Sequence, residues 1–414
     1  MQLLPGFRDF FPEDCARTNY ILSVWRDVAG RYGFVEYDGP VLESTELYRK
    51  KSGGELLGQL FDFVDKGDRH VALRPEMTPT LARMVAARER DYKKPLKWFC
   101  APSFFRYEKQ QRGRLREFLQ LNCDILGEAS AGADAELIAL VIDLLRAFGF
   151  GPADFVVRLS DRDAWAGFAR ARGVAEDRLL DFLAVVDKLE RAPEADSQRR
   201  LAEFAIELSA VRAFIADPSE EAAKLQGILA DLKARGMADF VQVDLTIVRG
   251  LAYYTGLVFE VFDRSGKERA LAGGGRYDRL LEVMSDGKVQ MPALGFGMGD
   301  VVLANLIASV PVASERRKAW LDARRAAEVF VVLAKEEHRI EALALVQTLR
   351  DSGFRTDYAL SLAKVGKQFQ SAEVVGAKFA VVIGEEWPQV KLKELATRQE
   401  RLLEVTDLLN ALRS

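Results

Sequence analysis

The spacing of apolar residues near the amino terminus predicts an amphipathic helix. Between Cys15 and Tyr32, apolar side chains recur at intervals of three or four positions, which places them on one face of a helix. Pro12 precedes this stretch and Gly33 follows it, as is typical of the start and end of a helix. The apolar stripe consists of Ile21, Val24, Trp25, Val28 and Tyr32.

Short apolar runs further along the chain predict strands. Many connections between them are short, so we expect an antiparallel sheet rather than a doubly wound parallel one. Pro40 lacks the amide hydrogen that a central strand needs, which places its segment at a sheet edge or an interface. The predicted strands are residues 34–37, 96–99, 118–126, 155–159, 241–247 and 257–262.

Changes in pattern divide the chain. Residues 162–239 are rich in Ala, Leu, Glu and Arg and offer no strand pattern, which predicts a helical insertion between two parts of one core, 1–161 and 240–313. In residues 326–414 strand and helix patterns alternate, which predicts a small α/β domain with a largely parallel sheet. Its predicted strands are 329–333, 354–358 and 379–383, and its helices are 337–349 and 364–375.

Composition excludes some kinds of chemistry. Of the 414 residues 49% are hydrophobic and 29% charged, which is ordinary for a soluble globular protein. The chain has neither a membrane-length apolar run nor a signal-peptide core, and its three scattered cysteines suit a reducing cytosol. Two histidines without ligand-like spacing argue against a zinc site or a histidine dyad. The net charge of −3 leaves nucleic-acid binding open, because phosphate contacts need only local basic patches.

Four clusters of polar, aromatic and glycine residues carry the candidate chemistry. Guanidinium groups bind phosphate oxygens in pairs and stack on purines, so the strand, basic loop and strand around Arg106 suit a nucleotide. Glycines at 295, 297 and 299 let the backbone approach a ligand closely. Tyr253, Tyr254, Gln120, Glu76 and Asp124 would form a pocket for a small cationic or zwitterionic substrate. The clusters are residues 73–78, 105–124, 248–256 with 273–278, and 293–300.

Each cluster alone has an ordinary structural explanation. Arg106 and Glu108 could form a cross-strand ion pair, and the basic loop of residues 109–116 could be a solvated hairpin tip. The run Gly273–Gly275 is usually a flexible turn. Adjacent residues of a strand point to opposite faces, so either Tyr253 or Tyr254 would then belong to the core.

In this order, the clusters resemble the histidyl-tRNA synthetases over nearly the whole chain. Phe105–Glu108 and its loop resemble motif 2 of the class II synthetases, and the segment ending at Pro40 resembles motif 1 at the dimer interface. Arg249–Gly256 and Gly273–Asp278 resemble the two histidine signatures of the family. The resemblance implies an α+β fold: a class II antiparallel sheet flanked by helices, a helical insertion, and a C-terminal α/β anticodon-binding-like domain.

The resemblance also implies roles for individual residues. Arg106 and Arg249 would act in catalysis by holding the α-phosphate of ATP from opposite sides, and both would contact histidine. Glu108 and Arg114 would lie near the adenine and the distal phosphates. The other histidine-binding residues would be Glu76, Thr78, Gln120, Asp124, Tyr253, Tyr254 and Tyr277.

The implied substrates and partners are L-histidine, ATP as its Mg²⁺ complex, and tRNA(His). We expect a cytoplasmic homodimer with no tightly bound cofactor, no metal ligated by protein side chains and no membrane association. The lysines at 364, 367 and 378, with Phe369, are candidate anticodon contacts, although Phe369 also fits a core position.

Three positions depart from the family pattern. Val302 stands where the third motif normally has the arginine that clamps the γ-phosphate, and Ala252 replaces the usual aspartate of the first signature. Lys109, Gln110 and Gln111 replace the usual start of the motif 2 loop, which helps the family recognise the extra 5′ guanosine of its tRNA.

The departures keep two alternatives open. A catalytically inactive, histidine-binding paralogue, the regulatory subunit of ATP phosphoribosyltransferase, shares the fold but typically lacks the C-terminal domain. A class II synthetase of another specificity, prolyl or threonyl, would not explain the block around Tyr253 and Tyr254.

Overall fold

The computed structural model describes residues 2–50, 54–109, 113–189, 192–217, 225–248, 253–324 and 326–413. The chain divides into two compact units, Met1–Arg317 and Lys318–Ser414. Arg249, Ala252, Gln110 and Gln111 lie outside the described residues. In the part of the chain that is described, no helix combines the length and apolar character needed to span a bilayer.

The first unit contains strands that form one large sheet and a smaller one. The strands are β1 (Val35–Glu36), β2 (Leu42–Ser44), β3 (Asp62–Val64), β4 (His70–Leu73), β5 (Leu96–Cys100), β6 (Ser103–Phe105), β7 (Glu117–Leu126), β8 (Phe155–Asp161), β9 (Val241–Val243), β10 (Thr255–Asp263), β11 (Ala272–Arg276) and β12 (Ala293–Gly299). The helices are α1 (Pro12–Arg31), α2 (Thr45–Arg49), α3 (Gly54–Leu57), α4 (Thr78–Ala87), α5 (Ala131–Phe148), α6 (Arg162–Arg170), α7 (Leu179–Val186), α8 (Glu194–Ala202), α9 (Leu208–Ala216), α10 (Gln226–Ala234), α11 (Leu280–Met284), α12 (Asp300–Ser309) and α13 (Pro311–Asp322), of which the last begins in the first unit and ends in the second.

The large sheet has the strand order β1-β5-β7-β12-β11-β10-β8-β9, with β6 also paired to β7. Its central pairs are antiparallel, which confirms the predicted fold class, whereas the edge pairs β1–β5 and β8–β9 are parallel. Strand β9 ends at Val243 rather than at the predicted Ile247. The reason is a local turn, in which Oδ1 of Asp244 accepts hydrogen bonds from the Thr246 amide at 3.0 Å and hydroxyl at 2.7 Å.

Helix α1 begins at Pro12, three residues before the predicted start. Proline suits the first turn because an amide hydrogen there would have no helical partner, and Glu13 and Asp14 complement the helix dipole. Trp25 and Val28 of the predicted stripe are fully buried. Helix α1 packs on α5, the apolar helix beneath the sheet, where the rings of Tyr20 and Phe148 meet at 5.6 Å.

Helices α6 to α10 occupy the segment predicted as a helical insertion, and the described residues of 162–239 contain no strand. The first four of these helices share a core around Trp165 and Phe182. The Trp165 indole donates a hydrogen bond of 2.9 Å to the Leu245 carbonyl, which ties this core to the segment after β9. The predicted domain boundaries remain a prediction.

The second unit contains the predicted α/β alternation and two additional strands. Its sheet has the order β14-β13-β15-β16-β17, in which the first three strands are parallel and the last two antiparallel. The strands are β13 (Val329–Leu333), β14 (Thr356–Tyr358), β15 (Phe379–Ile383), β16 (Gln389–Glu394) and β17 (Glu400–Glu404), and the helices are α14 (Arg339–Asp351), α15 (Val365–Val374) and α16 (Leu408–Arg413).

A buried ion pair fastens the centre of the large sheet to α5. The guanidinium of Arg276, the last residue of β11, lies 2.8 Å from Asp134, and both side chains are less than a tenth exposed. Arg276 also donates to the Ser130 carbonyl at 3.0 Å and the Glu128 carbonyl at 3.3 Å. Burial raises the pKa of Asp134 to about 6, although Arg276 opposes the shift, so the carboxylate is ionised at pH 8.

Asp134→Asn should destabilise the protein by about 3 kcal/mol at pH 8, because it leaves the buried Arg276 cation without its main counter-ion. The control is Glu194→Gln, which removes an exposed partner of Arg212 and should destabilise the protein far less, because exposed ion pairs contribute little to stability. Urea unfolding of the two variants provides the comparison. Equal changes in the free energy of unfolding would contradict a central role for the buried pair.

Candidate active site

The central strands of the large sheet present a face that is almost without side chains. In the sheet register, Asp124 of β7 pairs with Gly295 of β12, which pairs with Gly275 of β11. Asn122 likewise pairs with Gly297, which pairs with Gly273. Directly paired residues share a face, so glycines separate the polar side chains of β7 from β10 and form the floor of a cleft. The run Gly273–Gly275 therefore lies in a buried strand and not in a turn.

The glycines of β12 leave room for two predicted histidine-binding residues. A Cβ atom at Gly295 would lie 1.9 Å from Oδ1 of Asp124, and one at Gly297 would lie 2.5 Å from Nε2 of Gln120. Real Cβ atoms are never this close to other atoms, so Asp124 and Gln120 occupy space that any other residue at 295 or 297 would fill.

Two hydrogen-bonded pairs form a row of polar side chains along this face. Gln120 donates to Oδ1 of Asn122 at 2.8 Å, and the Tyr277 hydroxyl donates to Oδ1 of Asp124 at 2.5 Å. Burial, with a further contribution from Asp124, raises the pKa of Tyr277 well above its usual value, so the hydroxyl keeps its proton and remains a donor. Asp124 is therefore oriented before any substrate binds.

Tyr253 and Tyr254 precede β10, which begins at Thr255, so the expectation that they alternate on a strand was wrong. Gly256 has a φ of +55° and the register of β10 shifts between Thr255 and Val258, which interrupts the regular strand at this point. The rings of Tyr253 and Tyr254 pack together at 4.8 Å, and Tyr253 lies 6.2 Å from Tyr277.

Glu76 and Thr78 lie where β4 passes into α4, whose first residue is Thr78. Both are buried, Glu76 with 6% of its surface exposed. Arg106 connects motif 2 to this segment, because its Nε donates a hydrogen bond of 2.9 Å to the Pro75 carbonyl. The guanidinium also lies over the Phe118 ring, 5.2 Å from its centre.

Arg106, Glu108, Arg114 and Gln120 line one open cavity of about 610 Å³. Glu108 forms its ion pair with Arg114, at 2.6 Å, rather than the alternative pair with Arg106. Tyr253 and Tyr254 line a second cavity of about 790 Å³, which also borders α6 and α7. The row from Gln120 to Tyr277 leads from the first cavity towards these tyrosines.

Several cavity residues were not predicted as site residues. Glu260, Arg269 and Phe118 line the first cavity, and Arg162 lines the second. Glu260 lies beside the cleft because it pairs with Gly273, and the sequence does not indicate this pairing without the sheet register. Within the described ranges, no group of acidic, histidine or cysteine side chains is arranged to hold a metal ion.

Comparison with known proteins assigns the chain to a family. The model for histidyl-tRNA synthetase matches residues 6–300, and the model for the anticodon binding domain matches residues 328–414. The chain belongs to the histidyl-tRNA synthetase family. This confirms the family indicated by the sequence motifs, and the second match confirms the expected character of the C-terminal region.

Relatives within this family match over almost their full length. The histidine–tRNA ligase of Opitutus terrae is 44% identical over 96% of this chain and 95% of its own. The chloroplastic/mitochondrial histidine–tRNA ligase of Arabidopsis thaliana is 36% identical over 97% of this chain and 85% of its own.

Solved structures share the fold at lower identity. Histidyl-tRNA synthetase from Nostoc sp. PCC 7120 superposes with a TM-score of 0.78 at 23% identity, covering 100% of this chain and 98% of its own. A Bacillus halodurans protein described as an ATP phosphoribosyltransferase regulatory subunit/histidyl-tRNA synthetase gives 0.67 at 23% identity, covering 89% of this chain and 96% of its own.

Gly295→Ala should weaken histidine binding at least tenfold, because the new methyl group must displace the Asp124 carboxylate from Tyr277. Gly299→Ala is the control on the same strand, since a Cβ there meets nothing within 4 Å. Isothermal titration calorimetry with L-histidine measures both variants. If Gly295→Ala binds like the control, Asp124 is not part of the histidine site.

Proposed function

We propose that this protein activates L-histidine with ATP and transfers the histidyl group to tRNA(His). The observation that carries the proposal is the polar row of β7, which starts in an arginine-lined cavity and ends at the buried Asp124–Tyr277 hydrogen bond. The 44% identity to a histidine–tRNA ligase over nearly both whole chains supports the same activity. A class II enzyme of prolyl or threonyl specificity has no comparable support.

Activation joins the histidine carboxylate to the α-phosphorus of ATP. A carboxylate oxygen attacks this phosphorus, the bond to the β-phosphate oxygen breaks, and pyrophosphate leaves. Arg106 is suited to this step because its guanidinium, fixed by the Pro75 carbonyl and the Phe118 ring, lines the cavity before ATP arrives. Such a prepositioned cation stabilises the charge that develops on phosphorus. By family resemblance, Arg249 acts from the opposite side.

In this proposal ATP occupies the 610 Å³ cavity as its Mg²⁺ complex, and the Glu108–Arg114 pair lies near the adenine and the distal phosphates. The histidine site comprises Glu76, Thr78, Gln120, Asp124, Tyr253, Tyr254 and Tyr277. Asp124 is suited to an imidazole N–H because Tyr277 already fixes the direction in which its carboxylate points. In the second step, a ribose hydroxyl of the tRNA 3′ end attacks the histidyl carbonyl and AMP leaves.

The predicted homodimer is part of this proposal. The edge strand β1 belongs to the segment ending at Pro40 that resembles motif 1, and apolar side chains in this segment and just after it are exposed: Val35 is 63%, Val41 46% and Leu42 40% exposed. Exposed apolar groups concentrated at a sheet edge are typical of an interaction surface. Sedimentation equilibrium of the purified protein distinguishes a dimer from a monomer.

The regulatory-subunit alternative has one observation in its favour. Val302 lies on the wall of the cavity proposed for ATP and supplies no charge there. The anticodon binding domain favours the synthetase, because it matches residues 328–414, a region that such regulatory subunits typically lack.

The purified protein should catalyse histidine-dependent exchange of pyrophosphate into ATP without any partner protein. Exchange requires reversible formation of the adenylate, which a histidine-binding regulator cannot achieve. Arg106→Ala should slow the exchange by about 10²–10³-fold, the usual effect of removing one donor to a transition-state charge. Histidine binding without exchange, in the presence of Mg²⁺ and ATP, would favour the regulatory subunit.

The anticodon-binding-like unit should contribute salt-sensitive contacts to tRNA. Lys364 and Lys367 lie exposed at the start of α15, whereas Phe369 packs partly into a core cluster. In Lys364→Ala and Lys367→Ala, the slope of log kcat/KM for charging against log salt should decrease in magnitude by about 0.7–1 for each tRNA phosphate that the variant no longer neutralises. Pyrophosphate exchange should not change.

Lys335→Ala is the matched control, because Lys335 of the same unit is paired with Glu385 at 2.9 Å. Unchanged salt slopes in both test variants would exclude these lysines as tRNA contacts. Equal charging by the wild-type protein of tRNA(His) and a variant with a changed anticodon would mean that the unit does not read the anticodon.

A further inference from the structure

The cavity proposed for ATP has no positive charge at Val302, where the family's third motif normally supplies an arginine. A different segment of the chain, the connection between β10 and β11, brings an arginine to the same cavity. Val302, in the first turn of α12, is 7% exposed and presents only hydrocarbon to the cavity. Arg269, in the connection between β10 and β11, lines the same cavity. Both approach Gly113 of the motif 2 loop: a Cβ atom built there would lie 3.1 Å from Cγ2 of Val302 and 3.9 Å from Cδ of Arg269.

Hydrogen bonds on both sides of Arg269 fix the backbone that carries it. The buried carboxylate of Asp263 accepts from the amides of Lys267 at 3.2 Å and Glu268 at 3.1 Å, and from the Ser265 hydroxyl. On the other side, the Leu271 amide donates to the Val261 carbonyl at 2.7 Å. A fixed backbone reduces the entropy lost when an arginine orders around a ligand.

The same connection is attached to the helix that contains Val302. Glu268 accepts a hydrogen bond of 3.2 Å from the Asn305 side chain of α12. The residue immediately before Arg269 is therefore held against the element from which the family's third motif normally supplies its arginine. Arg269 reaches the same part of the cavity from the neighbouring strand connection.

Most of the other charges on the cavity wall are paired or negative, so a bound triphosphate would need a further cation such as Arg269. Arg114 is engaged by Glu108 at 2.6 Å, and Asp300 by Arg8 at 2.8 Å, so these two pairs largely cancel. Glu260 adds a carboxylate to the wall. A triphosphate carries several negative charges, and a guanidinium binds two phosphate oxygens at once.

We propose that Arg269 binds the distal phosphates of ATP and replaces the third-motif arginine that is absent at Val302. This assignment rests on the histidine-activating function proposed above. Arg269 is then a substrate-binding residue whose partner is the part of ATP that leaves as pyrophosphate.

Arg269→Ala in the full-length protein should raise the KM for ATP in pyrophosphate exchange by about 10- to 100-fold, the usual effect of losing a hydrogen bond to a charged group. The KM for histidine should stay within about twofold. Adding Val302→Arg to this variant should restore much of the ATP affinity, because the cation returns from the other wall. Lys267→Ala is the control, since Lys267 is an exposed cation of the same connection outside the cavity lining.

A histidyl-adenylate analogue has no β- and γ-phosphates, so its binding tests whether Arg269 contacts those phosphates. Calorimetry should give equal affinities of wild type and Arg269→Ala for this analogue, but weaker binding of ATP–Mg²⁺ by the variant. Equal losses of affinity for both ligands, or an unchanged KM for ATP, would overturn the proposal. A wild-type protein that gives no exchange contradicts the histidine-activating function, and the calorimetric comparison with ATP still decides the role of Arg269.

Discussion

The absence of side chains on one face of β11 and β12 is the constraint on which the site depends. Gly273, Gly275, Gly295 and Gly297 alternate along two central strands, where each lies opposite a glycine of the other strand. This arrangement creates a cleft inside a close-packed sheet and leaves Asp124 and Gln120 the space that Cβ atoms would take. Glycine weakens a strand, because it loses more conformational entropy than other residues. Buried interactions around the strands offset that cost.

Buried arginines hold the segments around the cleft in place, through backbone carbonyls as well as carboxylates. Arg74 is 3% exposed and donates to the carbonyls of Gly39 and Ser103 at 2.7 and 3.0 Å, and also to Asp38. Arg276 plays the same part beneath the sheet. From the sequence alone, Arg74 and Arg276 could be taken for functional residues, because each belongs to one of the clusters with candidate chemistry. Their burial assigns them to positioning the site, whereas Arg106 faces the cavity.

The sequence predicted the elements with strong periodicity and the order of the motifs. Helix α1, the central strands and the helical insertion all have patterns that are local in sequence. The expectation for the tyrosine pair was wrong because both residues precede β10, so strand alternation does not apply to them. The run Gly273–Gly275 has no side chains and therefore no alternating pattern that predicts a strand. Its strand conformation depends on pairing with the neighbouring strands β10 and β12. Strands β16 and β17 were missed because they are antiparallel additions, of which β17 is largely exposed, to a sheet predicted as parallel.

The location of charges explains how a chain with a net charge of −3 can be suited to polyanionic substrates. At physiological salt, exposed charges are screened beyond about 8 Å, so the charge sum of the whole molecule contributes little at a cavity. Within the 610 Å³ cavity, Glu108 and Asp300 are each paired with an arginine, and Arg106 is fixed by a neutral carbonyl and an aromatic ring. None of these contacts pairs Arg106 with a carboxylate, so its positive charge remains available to a ligand in the cavity. The excess of acidic residues elsewhere therefore does not oppose a phosphate bound at this point.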